Sequence, residues 1–142
     1  MTTGVTPQDV YRALEAAFNR QDLEGLVALY TPDAVIARPD GSLATGLDAV
    51  RQELSGVLGT NGQMAMRARY VMEAGDPALL GSEWTLTAGD QTMSAVSTEV
   101  ARRQPDGGWL YVLDHPFANL EPDEADKSGS AAASSGSYGK DR

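Results

Sequence analysis

Midway along the chain the apolar residues change period, and that change constrains the fold more than any other feature. Before residue 62 they recur at helical spacing; from Met64 they alternate, in four runs at 64–73, 79–87, 92–103 and 109–115. The runs are separated by Ala74-Gly75-Asp76-Pro77, Ala88-Gly89-Asp90-Gln91 and Gln104-Pro105-Asp106-Gly107-Gly108, whose glycines and prolines supply turns. Strands joined by turns this short pair as antiparallel neighbours, because a parallel pairing needs a crossover of about a dozen residues or more. The order predicts an α+β fold, in which N-terminal helices cover one face of a curved antiparallel meander sheet.

Three helices are predicted ahead of the sheet. Thr6-Pro7-Gln8-Asp9 reads as a helix start, with a threonine to cap it, a proline at the first position and a carboxylate where the helix dipole favours one. Val10, Leu14, Ala17 and Phe18 share a stripe with Tyr11 at its edge. Asp22 can cap a second, short helix whose Leu23, Leu26, Val27 and Tyr30 share a face. Thr31-Pro32-Asp33 reads as a stop, Ala34-Val35-Ile36-Ala37 as a short strand, and Arg38-Pro39-Asp40-Gly41-Ser42 as a second turn. After Gly46, the residues Leu47, Val50, Leu54, Val57 and Leu58 mark a third amphipathic helix, closed by Gly59-Thr60-Asn61-Gly62.

With 142 residues the chain suits one domain of ordinary size, expected over residues 1–120. Residues 121–142 contain a Ser/Gly/Ala tract and almost nothing apolar, and are expected to be disordered. The absence of cysteine excludes disulfides and thiolate chemistry, and a single histidine excludes multi-histidine metal sites. A net charge of −9 opposes nucleic acid and anionic lipid surfaces as partners. The N-terminus has neither a basic n-region nor an apolar h-region, so a cytoplasmic protein is expected.

Within this frame, AAFNRQDLEGLVALYTPDAVI followed by GLDAVRQEL resembles the opening of SnoaL-like and ketosteroid isomerase-like proteins of the nuclear transport factor 2-like superfamily. STEVARRQPDGGWLYVLDHPF is similar to the closing hairpin of small actinobacterial members, some of them encoded with natural-product pathways. The resemblance spans about residues 7–118 and implies a cone-shaped sheet, a deep and mostly apolar pocket under the helices, and often a homodimer. The fold itself hosts isomerases, cyclases, dehydratases, epoxide hydrolases and binders without activity, so the site must decide among them.

The steroid-isomerase pattern is incomplete here. Where that pattern has an aspartate base before a Pro-x-Gly-Ser turn, this chain has Arg38. The oxyanion tyrosine's place, one turn before Asn19-Arg20-Gln21-Asp22, holds Leu14, with Tyr11 a turn earlier. Glu99 falls where the resemblance implies a buried, neutral acid. SnoaL-like cyclases use an aspartate on the last strand as acid/base, and Asp114 falls on that motif. Strict alternation would put Asp114 with Leu110 and Val112, and Trp109, Tyr111, Leu113 and His115 on the other face; a bulge before Pro116 is what would turn His115 inward.

The candidate catalytic residues are therefore Asp114 and His115, and the candidate substrate contacts are Tyr11, Tyr30, Arg38, Trp84 and Glu99, with no metal and no cofactor expected. Each has a structural alternative. Asp114 can cap the Pro116 turn, His115 can be a satisfied structural histidine, Arg38 can be solvated, and Glu99 can pair with Arg67 or Arg69. Trp84, Met64, Met66, Met72 and Met93 suit an adaptable pocket as well as a core. Because both faces of the last strand are apolar, a partner subunit covering the outer face is expected. Three functions follow as expectations: an acid–base enzyme acting on a hydrophobic cyclic metabolite, a binder that sequesters one, or a module that only dimerises.

Overall fold

In the computed structural model, which describes residues 6–119, the chain runs α1 (Asp9–Asn19), α2 (Leu23–Val27), β1 (Tyr30–Ala37), β2 (Leu43–Thr45), α3 (Leu47–Leu58), β3 (Gln63–Glu73), β4 (Pro77–Ala88), β5 (Gln91–Arg103) and β6 (Trp109–His115). The expected disordered tail, 121–142, lies outside the described residues. Among the described residues no helix is long and apolar enough to cross a membrane.

Helix α1 buries Val10, Tyr11, Leu14, Ala17 and Phe18, the stripe its period predicts. Burial of each larger side chain stabilises the fold by about 1.5–3 kcal/mol. Its start differs from expectation: Thr6 does not cap with its hydroxyl, and its backbone N–H instead donates to the Asp9 carboxylate at 3.1 Å. Asp22 does cap α2, accepting from the Gly25 N–H at 2.9 Å. A side chain at position 25 would meet that carboxylate, since an added Cβ would lie 2.5 Å from its Oδ2. Glycine there is a condition of the cap.

The four C-terminal strands form the predicted antiparallel meander, and β1 and β2 extend it into a curved, unclosed sheet of six strands in the order β2-β1-β6-β5-β4-β3. The short strand expected at 34–37 begins earlier, at Tyr30, and lies parallel to β6. Thr31-Pro32-Asp33 is therefore not a stop. It is an irregularity inside β1, where the register against β6 shifts between Tyr30 and Val35, and this is how a residue without an N–H sits in a strand. Further shifts occur at Ala68/Tyr70 in β3 and at Val100/Ala101, where β5 faces β6. Bulges bend strands, and these accompany the sheet's curvature around the helices.

The helices cover one face of the sheet and fix one of its edges. From α1, the Asn19 amide donates to the Met64 carbonyl at 3.0 Å and accepts the Met64 N–H at 2.7 Å, and the Glu15 carboxylate accepts the Met66 N–H at 2.8 Å. These bonds satisfy backbone groups that β3, as an edge strand, would otherwise present to another chain. Between helices and sheet lies a core built on Val10, Leu26, Val50, Leu80, Trp109 and Tyr111, all fully buried.

Candidate active site

The site grows out of the pairing of β5 with β6. On β5 the inward residues Ala95, Ser97, Glu99 and Ala101 alternate regularly, and all are buried. On β6 alternation fails. Ala101 pairs with Tyr111 and Val100 with Leu113, so Val112 is an extra residue. The bulge reverses the facing after it, and Asp114 turns to the same inner face as Trp109 and Tyr111, directly opposite Glu99. The facing expected from strict alternation is thereby corrected. The bulge sits two residues before Asp114 rather than next to Pro116, and it leaves His115 exposed on the outer face beside Thr98.

Glu99 and Asp114 face each other directly across β5 and β6. Tyr11, from α1, donates to Glu99 Oε1, and Tyr30, from the start of β1, donates to Asp114 Oδ2 at 2.7 Å. Ser97, two residues before Glu99 on the same inner face of β5, places its hydroxyl 2.6 Å from that of Ser82 on β4. Tyr111 stands between the other two tyrosines, its ring centroid 6.2 Å from that of Tyr11 and 5.3 Å from that of Tyr30. Its hydroxyl has no hydrogen-bond partner among the described residues.

Burial governs the electrostatics of this cluster. Loss of water pushes Glu99 up from 4.5 to about 8, and the neighbouring Asp114 charge adds to the rise. Asp114 is pushed up from 3.8 to about 6, again by loss of water, with the hydrogen bonds from Tyr30 and Glu99 opposing it. Both carboxyl groups therefore hold a proton more readily than solvated ones do. Between those two values the pair holds one proton and one negative charge, and it titrates as a unit. Burial and then the adjacent carboxyl charges hold the Tyr11, Tyr30 and Tyr111 hydroxyls above their ordinary range. All three remain neutral donors.

The pair lines the end of a cavity of about 290 Å³. Leu14, Phe18, Leu54, Met64, Trp84 and Phe117 are among the apolar side chains that wall it. Trp84 is fixed there by a 2.7 Å hydrogen bond from Nε1 to the Pro116 carbonyl and by an edge contact with Phe117 at 5.5 Å. Met64, Met66 and Met93 reach the cavity, whereas Met72 is 61% exposed on the outer face.

The structure thus brings Asp114, Glu99 and Tyr30 together on the cavity, with Trp84 on its wall and Tyr11 behind Glu99. His115 stands apart from it on the outer face, and Arg38, though it lies between the lining residues Ala37 and Pro39, is not itself part of the lining. Arg38 is held by Glu53 at 2.8 Å, by the Ser42 hydroxyl at 3.2 Å and by the Leu43 carbonyl at 3.1 Å. Neither Arg67 nor Arg69 pairs with Glu99, since Arg67 bonds Glu83 and Arg69 lies over the Tyr70 ring. Ser82 and Tyr111 belong to the cluster but were not singled out from the sequence. The alternation of β4 already turns Ser82 inward with Leu80 and Trp84, and that of β6 turns Tyr111 inward with Trp109; the bulge hides only that Asp114 joins them.

A family model described as a SnoaL-like domain matches residues 10–112. The chain belongs to the SnoaL-like family. Solved structures of similar fold include a ketosteroid isomerase-like protein from Erwinia carotovora atroseptica, at 25% identity and a TM-score of 0.62, with 77% of this chain and 90% of that one covered. A candidate dehydratase of the nuclear transport factor 2-like family from Streptomyces avermitilis aligns at 23% identity and a TM-score of 0.64, covering 75% and 88%. A candidate calcium/calmodulin-dependent protein kinase type II association domain from Thiobacillus denitrificans aligns at 24% and 0.71, covering 81% and 96%. No curated protein matches the chain at a significant level. These neighbours establish the nuclear transport factor 2-like fold for this SnoaL-like chain, and their varied descriptions leave its chemistry to the site.

Proposed function

We propose that this SnoaL-like protein is a cofactor-independent acid–base enzyme, of the isomerase, cyclase or lyase type, acting on an apolar small molecule held in the cavity. The observation that carries the reading is the Glu99–Asp114 pair in the cavity's lining, two carboxyl groups set opposite each other on β5 and β6 among apolar walls. General acid–base catalysis needs one group able to give a proton and another able to take one near the working pH, and unequal environments have set these two apart in that way. Asp114 is the base, Glu99 the acid, and Tyr30 a hydrogen-bond donor at the same end. Tyr11 is not part of the lining and donates to Glu99, so it serves as a positioning residue.

Proton transfer to or from carbon can be read without knowing the product. The full chain, incubated in D2O with a panel of apolar cyclic ketones and amino ketones, should introduce deuterium at carbon, read by mass spectrometry. Asp114→Asn should lower that exchange about 10²–10⁴-fold while ligand affinity holds. Binding without exchange in the parent protein would instead make it a carrier that sequesters its ligand.

A further inference from the structure

The ionisable residues that line the cavity are Glu53, Glu99 and Asp114, and all are acids. The nearby cation, Arg38, is absent from the lining and engaged by Glu53. A ligand carboxylate or phosphate entering here would meet a negative charge in apolar surroundings, with no basic group to balance it. The rest of the polar lining is Tyr30 and Ser97, whose hydroxyl oxygens lie beside the carboxyl pair. A primary ammonium carries three donors and no acceptor, and this end of the cavity offers carboxylate and hydroxyl oxygens to receive them.

We infer that the cavity's ligand is a lipophilic primary amine, bound as the ammonium, which displaces the proton shared by Glu99 and Asp114. This rests on the reading of the cavity as a small-molecule site and names the class of molecule it takes. The exchange balances: one ammonium enters, one proton leaves to solvent, no covalent bond to the ligand is made or broken, and the net charge of the site stays at −1 on the assignment above. It also bears on the proposed chemistry. With the shared proton expelled, both carboxyl groups are ionised: the bound ammonium stands in for protonated Glu99 as the acid, and Asp114 remains the base.

Calorimetric titration of the full chain at pH 7 with 1-octylamine, 1-octanol and octanoate, each in phosphate and in HEPES, separates the possibilities. An alkylammonium is fully charged at that pH, so any proton released on binding comes from the protein. The amine should bind at least tenfold more tightly than the alcohol, octanoate should bind most weakly, and the difference in heat between the two buffers should report close to one proton released per site. The double variant Glu99→Gln, Asp114→Asn should lose both the amine preference and the proton release while still binding the alcohol. Equal affinity for amine and alcohol, no proton release on amine binding, or a preference that survives in the double variant would each overturn the amine assignment and leave an apolar cavity standing. If none of the three probes binds, the reading of the cavity as a small-molecule site fails with it.

Discussion

Glu99 and Asp114 make folding depend on pH in the direction opposite to ordinary salt-bridged acids. Both hold a proton more tightly when folded than their usual 4.5 and 3.8, at about 8 and about 6. Between pH 4 and 8 the folded state therefore binds more protons than the unfolded one, and stability falls as pH rises. The contribution is complete below about pH 4 and is lost through about 6 and then about 8. Asp22, Asp33 and Asp40 act the other way, because hydrogen bonds hold them below the ordinary range and their stabilisation disappears in acid. The clean window is pH 5 to 8.5. There the melting temperature should decline steadily in the parent protein and much less in the Glu99→Gln, Asp114→Asn variant. At pH 8 the variant should be the more stable by the order of a few kcal/mol, since no buried charge remains. A parent protein with a flat profile across that window would show that water reaches the pair freely.

At the scale of elements, β6 decides whether there is a site at all. Its span, 109–115, and its hairpin with β5 are legible in the sequence, since β-branched and aromatic runs flank a Gly107-Gly108 turn. The bulge is not. Val112 looks like any strand valine, and only the register of β5 against β6 reveals it as the extra residue. The sequence thus named Asp114, Glu99, Tyr30 and Tyr11 individually, without the means to bring them to one point. Arg38 entered by its place before the Pro-x-Gly-Ser turn and His115 by its chemistry, and local structure removed both: the first is tied to Glu53, and the second stands past the bulge on the far face. Tyr30 was read with α2 because a helix and a strand can both start from Leu-Tyr-Thr, and only the parallel partner β6 favours the strand. Deleting Val112 tests this account. With the extra residue gone, Leu113 follows Tyr111 directly and strict alternation keeps Asp114 on the inner face opposite Glu99. The deletion should therefore preserve the far-UV signature of the sheet, the decline of stability with rising pH and any Asp114-dependent activity. A deletion variant that kept the sheet but lost the pH dependence would show that the pairing of Asp114 with Glu99 needs the bulge itself.

Across the whole molecule, the face turned away from the helices carries a continuous apolar row. Met72 pairs with Leu79, Leu79 with Val100, Val100 with Leu113, and Leu113 with Val35, so five strands contribute in register. Met72 is 61% exposed, Leu113 48% and Leu79 36%. Residues paired across neighbouring strands share a face, which makes this a patch rather than scattered surface residues. The homodimer expected from the two apolar faces of β6 would use this row, because a two-fold axis through the sheet sets the same residues against each other in both copies. Leu113 is the most informative position: it is central in the row, points away from the cavity, and neighbours Asp114 only along the backbone. Leu113→Glu puts a carboxylate in the middle of a self-complementary interface, opposite or near its own copy, where burial without a partner is strongly unfavourable. Light scattering at micromolar concentration should give twice the 15.0 kDa chain mass for the parent protein and the single mass for the variant. Because the cavity lies on the opposite face, 1-octylamine binding should change less than twofold in the variant. A parent protein that scatters as a monomer would remove the dimer, whereas loss of ligand binding together with dimerisation would show that the two faces of the sheet are coupled through β6.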